Sequence, residues 1–100
     1  MKPLPVEFHP DAEREAVAAR QWYAERSESA AAAFVAELDA AVDRVSRLPD
    51  LYPVYLYGTR FCVLRRFPYI VVYRRRARRI QVVAVAHGRR KPGYWRKRRL

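Results

Sequence analysis

The spacing of apolar residues divides the chain into a helical first half and an extended second half. Near the start, Val6 and Phe8 alternate with polar residues, which predicts a short strand. Pro10 and Asp11 then mark the start of a helix. Small or aromatic residues recur three or four positions apart over about fifteen residues, namely Ala12, Ala16, Ala19 and Tyr23. This pattern predicts a helix whose small-residue face packs closely against a neighbour.

A second predicted helix carries a more strongly apolar stripe. Ser27 or Ser29 can cap its N-terminus, and Pro49 ends it. Its apolar residues follow one another at spacings of 4, 4, 3 and 3, namely Phe34, Leu38, Val42, Val45 and Leu48. Because the link near Ser27 is short, the two helices are expected to form an antiparallel hairpin.

After Pro49 the apolar residues follow an extended pattern. Residues 52–59 fit a loop or weak edge strand with a turn at Gly58. Three strands follow, with the sequences RFCVLRRF, YIVVYRR and RIQVVAVAH. The link at Arg74–Arg79 is too short for a crossover, so it predicts an antiparallel hairpin. The predicted fold is α+β with the order β-α-α-β-β-β. We expect the helix hairpin to pack on one face of a small antiparallel sheet and leave the other face free.

The charge is distributed unevenly along the chain. The formal net charge is +11, yet residues 1–50 hold all ten Asp and Glu and only six Lys and Arg. Residues 51–100 hold the other fifteen Lys and Arg and no carboxylate. The arginines gather at the predicted hairpin tip and near strand ends, namely Arg74, Arg75, Arg76, Arg78, Arg79, Arg65, Arg66, Arg89 and Arg90. Guanidinium groups suit phosphates and carboxylates, so the basic half predicts a nucleic-acid or acidic protein partner.

Several other kinds of site are not expected. Cys62 is the only cysteine, which excludes an internal disulfide and fits a reducing cytosol. Cys62, His9 and His87 lack the spacing of metal ligands, and with three glycines the chain has no phosphate-binding loop. We therefore expect no metal and no cofactor. With no secretory or membrane-spanning segment, we expect one soluble cytoplasmic domain over residues 1–100, with residues 96–100 a frayed basic tail.

His87 ends the last predicted strand. Strict alternation would place it on one face with Gln81, Val83 and Val85, and place Ile80, Val82, Ala84 and Ala86 on the other. A lone histidine there is more often structural, although it could act as a general base if a substrate proton came within reach. Tyr69 and Tyr73 are expected to pack beneath the helices. Tyr94 is a better candidate for stacking on a base.

Four stretches in order carry a resemblance to a known family: QWYAERS, LPDLYP, RRFPYIVVY and VAHGRRKPGYW. With them the chain resembles the RelE/ParE superfamily, the toxins of type II toxin–antitoxin systems, which are also called plasmid stabilisation proteins. The resemblance implies a cytosolic toxin held in a hetero-oligomer by a small acidic antitoxin. The basic half would then face the antitoxin or, once free, a nucleic-acid machine.

The superfamily contains two kinds of activity. RelE-like members cut mRNA on the ribosome, and here that activity would assign catalysis to Arg65, Arg74, His87 and Tyr94. ParE-like members bind DNA gyrase and need no catalytic set. The sequence lacks the lysine pair and the His-Tyr ending of nuclease relatives, and its HGRR motif is similar to the ParE-like branch.

A gyrase-binding toxin is therefore the favoured reading. The residues expected to contact a partner or nucleic acid are Arg75, Arg76, Arg78, Arg79, Arg89, Arg90 and Trp95. A ribosome-dependent mRNA endonuclease and an inactive nucleic-acid-binding remnant stay open as alternatives. The sequence leaves undecided whether the protein is an enzyme, which antitoxin family it pairs with and how the complex assembles.

Overall fold

The computed structural model describes residues 2–99, and its elements follow the predicted order. They are β1 (Val6–Phe8), α1 (Pro10–Ala24), α2 (Glu28–Arg47), β2 (Arg60–Val63), β3 (Tyr69–Arg76) and β4 (Arg79–His87), with a single 3-10 turn at Leu56–Gly58 before β2. The α+β fold class and the order of elements are confirmed. Within these residues, none of the helices combines the length and apolar character needed to cross a membrane.

Side-chain caps fix where the helices begin. The His9 Nδ1 atom accepts a hydrogen bond of 3.0 Å from the backbone N–H of Asp11, and Pro10 is the first residue of α1. The Ser27 hydroxyl accepts a bond of 3.2 Å from the N–H of Ala30, so Ser27 caps α2. Each cap satisfies a backbone donor that has no partner within its helix.

The sheet has the strand order β1-β4-β3-β2. The pairs β2–β3 and β3–β4 are antiparallel as predicted, but β1 lies parallel to β4 with Val6 opposite Ile80. The expectation of a wholly antiparallel sheet is therefore corrected to a mixed sheet. Two long helices separate β1 from the other strands, so β1 is free of the hairpin geometry that forces antiparallel pairing.

The helices cover one face of the sheet and form the larger core with it. Phe34 of α2 and Val82 of β4 lie in this core. Tyr73 is fully buried there, and its hydroxyl donates a 2.6 Å hydrogen bond to the carbonyl of Pro49. Burial raises the pKa of Tyr73. The ring of Tyr69 lies 5.4 Å from that of Phe34, so both tyrosines pack beneath the helices as expected.

The second face of the sheet is covered in part by the C-terminal segment, residues 89–99. Trp95, only 1% exposed, packs with a second cluster whose buried members are Val72, Val83, Ala84 and Ala86. The expectation of a free second face is wrong over this area. Residues 96–98, which were expected to fray, form turns in which the N–H groups of Arg96 and Arg98 donate to the carbonyls of Gly93 and Trp95 at 3.0 and 2.9 Å. The Arg98 side chain also donates to Glu15 of α1 at 2.8 Å. Residue 100 lies outside the described residues.

A β-bulge changes which side chains of β4 face the helices. Val72 lies opposite Ala84, but the next residue of β3, Tyr73, lies opposite Val82, so Val83 is one residue too many. Val82 and Val85 therefore both belong to the helix-facing core, whereas Val83 and Ala84 both belong to the opposite cluster. The predicted common face of Gln81, Val83, Val85 and His87 is wrong because a one-residue insertion reverses every later side chain.

Candidate functional site

Glu15 of α1 fastens the C-terminal segment to the edge of β4. The guanidinium of Arg98 donates two bonds to its carboxylate, 2.8 and 2.9 Å long, and the Tyr94 hydroxyl donates another of 2.7 Å. Glu15 also accepts the backbone N–H of Val85 at 3.0 Å, while Arg98 donates to the carbonyl of Val83 at 3.1 Å. We call Glu15, Tyr94 and Arg98 the latch.

The latch covers the part of the β4 edge that does not pair with β1. Because β1 pairs only with Ile80–Val82, the backbone of β4 beyond Val82 has no strand partner on that side. Burial, and then the bond to Glu15, raise the pKa of Tyr94. Burial alone would lower the pKa of Arg98, but its bonds and attraction to Glu15 raise it instead. The latch therefore keeps both groups in their protonated forms and closes an edge that could otherwise pair with another strand.

His87 lies beside a groove of about 490 Å³ between α1 and the ends of β3 and β4. Its lining combines apolar and polar residues, including Ala19, Trp22, Tyr23, Tyr69, Val85, Glu15, His87 and Arg90. The His87 ring meets Tyr69 edge to face at 5.1 Å, and its Nδ1 atom accepts the N–H of Arg89 at 3.0 Å. His87 thus has a structural bond at one nitrogen.

The four residues assigned to catalysis in the nuclease reading lie in different places. Arg74 is opposite Gln81 and His87 is opposite Tyr69, and the five-residue step from Tyr69 to Arg74 along β3 separates these positions by about 17 Å. Arg65 follows β2 at the other edge of the sheet. Tyr94 belongs to the latch. His87 and Tyr94 share neighbours: His87 lines the groove with Glu15 and Arg90, while Tyr94 donates to Glu15 and stacks with the Arg90 guanidinium.

The hairpin tip, residues 74–79, extends beyond both neighbouring strands. β2 pairs no further than Tyr73 and β1 begins opposite Ile80. Arg76 lies directly opposite Arg79, and Ala77 turns the chain with a φ of 50°. This left-handed conformation costs about 1 kcal/mol for a residue other than glycine. The tip therefore keeps a strained turn and a pair of like charges in contact with solvent.

Carboxylates neutralise the tip only in part. Asp50 contacts Arg75 at 2.6 Å and Glu7 contacts Arg79 at 2.9 Å. Over residues 2–99, these are the only carboxylates within 4.0 Å of a tip arginine. Arg75, Arg76, Arg78 and Arg79 are exposed, as expected of partner contacts.

The remaining residues expected to contact a partner behave differently from one another. Arg89 is exposed. Arg90 stacks its guanidinium 3.7 Å from the Tyr94 ring centroid and lies 3.5 Å from the Glu15 carboxylate. Trp95 is buried in the second cluster, so its ring cannot contact a partner while the C-terminal segment stays packed on the sheet.

A row of polar side chains crosses the outer face of the sheet at the base of the tip. Register places Glu7 beside Gln81 and Gln81 beside Arg74. Gln81 is 1% exposed, yet neither atom of its amide has a hydrogen-bond partner among the described residues. The Arg74 Nε atom is likewise buried without a partner. We call Glu7, Gln81 and Arg74 the polar row. Neither Gln81 nor Glu7 was predicted from the sequence as a site residue.

Comparison with known proteins assigns the family. Residues 6–92 match the family described as the ParE toxin of the type II toxin–antitoxin system, parDE. The chain belongs to the ParE toxin family. This confirms the resemblance seen in the sequence and its ParE-like branch. A comparison with curated proteins gave no match.

Solved structures agree with the fold of the ParE family. Eight chains match, among them one from the structure titled "Chromosomal ParDE TA system from P. aeruginosa". It is 20% identical, the alignment covers 84% of this chain and 95% of that chain, and the TM-score is 0.65. At this identity the likeness supports the shared fold of helix pair and mixed sheet. Neither comparison assigns a role to an individual residue.

Proposed function

We propose that this ParE-family protein is a toxin that binds DNA gyrase and that a cognate acidic antitoxin neutralises it in the cytoplasm. The observation that carries the proposal is the separation of Arg74 from His87 by about 17 Å along the sheet. A nuclease must hold its proton-transfer and charge-stabilising groups around one phosphate. The separation of Arg74 from His87 therefore favours a protein that binds its target over one that cleaves RNA.

The groove beside α1 is the proposed site for the antitoxin. It joins apolar side chains such as half-exposed Trp22 to the cationic Arg90, and the exposed Arg89 precedes Arg90 in the chain. An amphipathic acidic segment matches both properties, because its apolar side would bury Trp22 and its carboxylates would face the arginines. The toxin and antitoxin would then form a hetero-oligomer.

Assays with the purified protein test the proposed target. We expect it to arrest growth when expressed without an antitoxin, and to inhibit supercoiling of relaxed plasmid by gyrase. In a translation reaction it should leave mRNA intact. Ribosome-dependent cleavage of mRNA with gyrase unaffected would instead establish the nuclease alternative, and absence of any growth defect would establish the inactive remnant.

His87→Ala separates binding from catalysis more sharply. In a gyrase-binding toxin this variant keeps its toxicity, because the His87 side chain only accepts a backbone N–H and packs on Tyr69. Loss of toxicity with an unchanged circular dichroism spectrum would argue for catalysis. Co-expression of the cognate acidic antitoxin should restore growth, and the two proteins should co-purify.

A further inference from the structure

Three arginines lie side by side on the outer face of the β3–β4 hairpin. Tyr73 and Ile80 face the helices, so alternation places Arg74, Arg76 and Arg79 on the opposite face. Arg76 and Arg79 are direct cross-strand partners. Because like charges in this position destabilise a sheet, the stability of the fold gives no reason for them.

The counter-charge within the protein is incomplete on this face. Glu7 contacts Arg79 at 2.9 Å. Asp50 contacts Arg75, whose side chain lies on the other face of β3. The described residues place no carboxylate within 4.0 Å of Arg74 or Arg76. Two guanidinium groups are therefore left for an anion from outside.

The polar row adds unmet hydrogen-bonding capacity at the base of these arginines. Both amide atoms of Gln81 and the Nε atom of Arg74 are buried without partners among residues 2–99. Burial, and then the charge of Arg76, lower the pKa of Arg74. Native proteins pair nearly all such groups. The donors among the unpartnered atoms are Arg74 Nε and Gln81 Nε2, and an anionic oxygen, or a water molecule held by it, would supply their acceptor. Gln81 Oε1 and Glu7 Oε1 are acceptors, and a water molecule would supply their donor.

We propose that this face of the hairpin binds the phosphates of duplex DNA. A two-stranded ribbon fits the major groove, which is about 12 Å wide, and guanidinium groups bind phosphates in a bidentate manner. Interfaces with DNA are polar and cationic, whereas the centre of a protein interface is apolar or aromatic. The tip has no exposed large apolar side chain; those of the described chain lie elsewhere, at Val17, Trp22, Leu48, Leu51, Val54, Leu56, Tyr57 and Val63.

With this DNA contact, the proposed target would be gyrase together with the DNA bound to it. If the protein binds gyrase, which rests on the proposed function, the hairpin would contact the DNA segment that the enzyme holds. The toxin would then recognise the loaded enzyme better than the free enzyme. The contact with DNA itself does not depend on gyrase and can be measured without it.

The test is the salt dependence of binding between the full chain and a fluorescent duplex of mixed sequence. For three phosphate contacts, the plot of log Kd against log salt concentration should have a slope of about 2.7. The variant Arg74→Gln/Arg76→Gln/Arg79→Gln should lose most of this slope and bind at least about tenfold more weakly at low salt. If that variant does not fold, Arg76→Gln alone should reduce the slope by about 0.9.

A charge-matched control is available on α1 and the turn that follows it. Arg14→Gln/Arg20→Gln/Arg26→Gln removes the same formal charge and should keep the slope of the unmodified protein. Equal losses in both triple variants would mean unspecific attraction and would overturn the proposal. So would absence of DNA binding at low salt, or tip-dependent binding of an acidic peptide without binding of DNA.

Gyrase assays keep the two proposals distinct. Inhibition of gyrase by a protein that binds no duplex would remove the DNA contact and leave the proposed function in place. Tip-dependent DNA binding without any effect on gyrase would support the DNA contact and contradict the proposed function.

Discussion

The hairpin tip and the C-terminal segment are both rich in arginine, but the fold uses them in opposite ways. In the C-terminal segment, Arg98 and Arg90 both lie against the Glu15 carboxylate and the Tyr94 ring. At the tip, Arg76 faces Arg79 across the hairpin. Carboxylate and aromatic neighbours give the arginines of the C-terminal segment a structural role. The scarcity of such neighbours at the hairpin tip leaves its arginines available to a partner. A count of arginines alone does not separate these roles.

The largest expected effect comes from the packing of the C-terminal segment. Trp95→Ala should lower the free energy of unfolding by about 3–5 kcal/mol, because it empties a fully enclosed site on the second face of the sheet. Trp22→Ala is the matched control: residue Trp22 is 50% exposed, and we expect a loss below about 1 kcal/mol. Urea unfolding measures both. Equal effects would mean that the segment does not pack on the sheet.

The latch comes next in size. Glu15→Ala removes the acceptor of Arg98, Tyr94 and the Val85 N–H together. Since it leaves a partly buried guanidinium without a counter-charge, we expect a loss of about 2–4 kcal/mol in the free energy of unfolding. Glu13→Ala, at an exposed position of the same helix, should change stability by less than about 0.5 kcal/mol. A Glu15 variant as stable as the Glu13 variant would show that the latch does not stabilise the fold.

Much of the fold was predictable because its signals are local. Periodic apolar residues define α1 and α2, and the short link after Arg74 allows only an antiparallel hairpin. The partner of β1 was not predictable, since strand pairing depends on how the helices carry the chain across the sheet. The bulge at Val83 was also hidden, because nothing in an unbroken run of small apolar residues marks the extra one.

The candidate site was predicted less completely. The exposed tip arginines were recognised from composition. Trp95 was expected at the surface because it lies in a basic segment, but its burial depends on a cluster drawn from distant strands. Glu15 had a usable signal: it lies three residues after Ala12 and four before Ala19, both buried, so it shares the buried face of α1. A carboxylate on a buried face requires a partner.

At the base of the tip, removal of an amide should stabilise the protein. Gln81→Met replaces an unpartnered polar side chain with an apolar one of similar size, and we expect the free energy of unfolding to rise by about 1 kcal/mol. Gln21→Met, at an exposed helix position, should leave it nearly unchanged. Thermal unfolding measures both. A loss of stability in the Gln81 variant would show that an ordered water satisfies the amide.

The smallest expected effect is the most direct comparison of the two segments. Arg76→Glu converts the like-charged pair with Arg79 into an opposite pair and should stabilise the protein by about 0.2–1 kcal/mol. The same change at Arg98 sets a second carboxylate beside Glu15 and should destabilise it. Opposite signs in parallel urea titrations are expected. Destabilisation by both changes would mean that the tip arginines stabilise the fold. Repulsion between Arg76 and Arg79 would then no longer argue for an external anion at the tip.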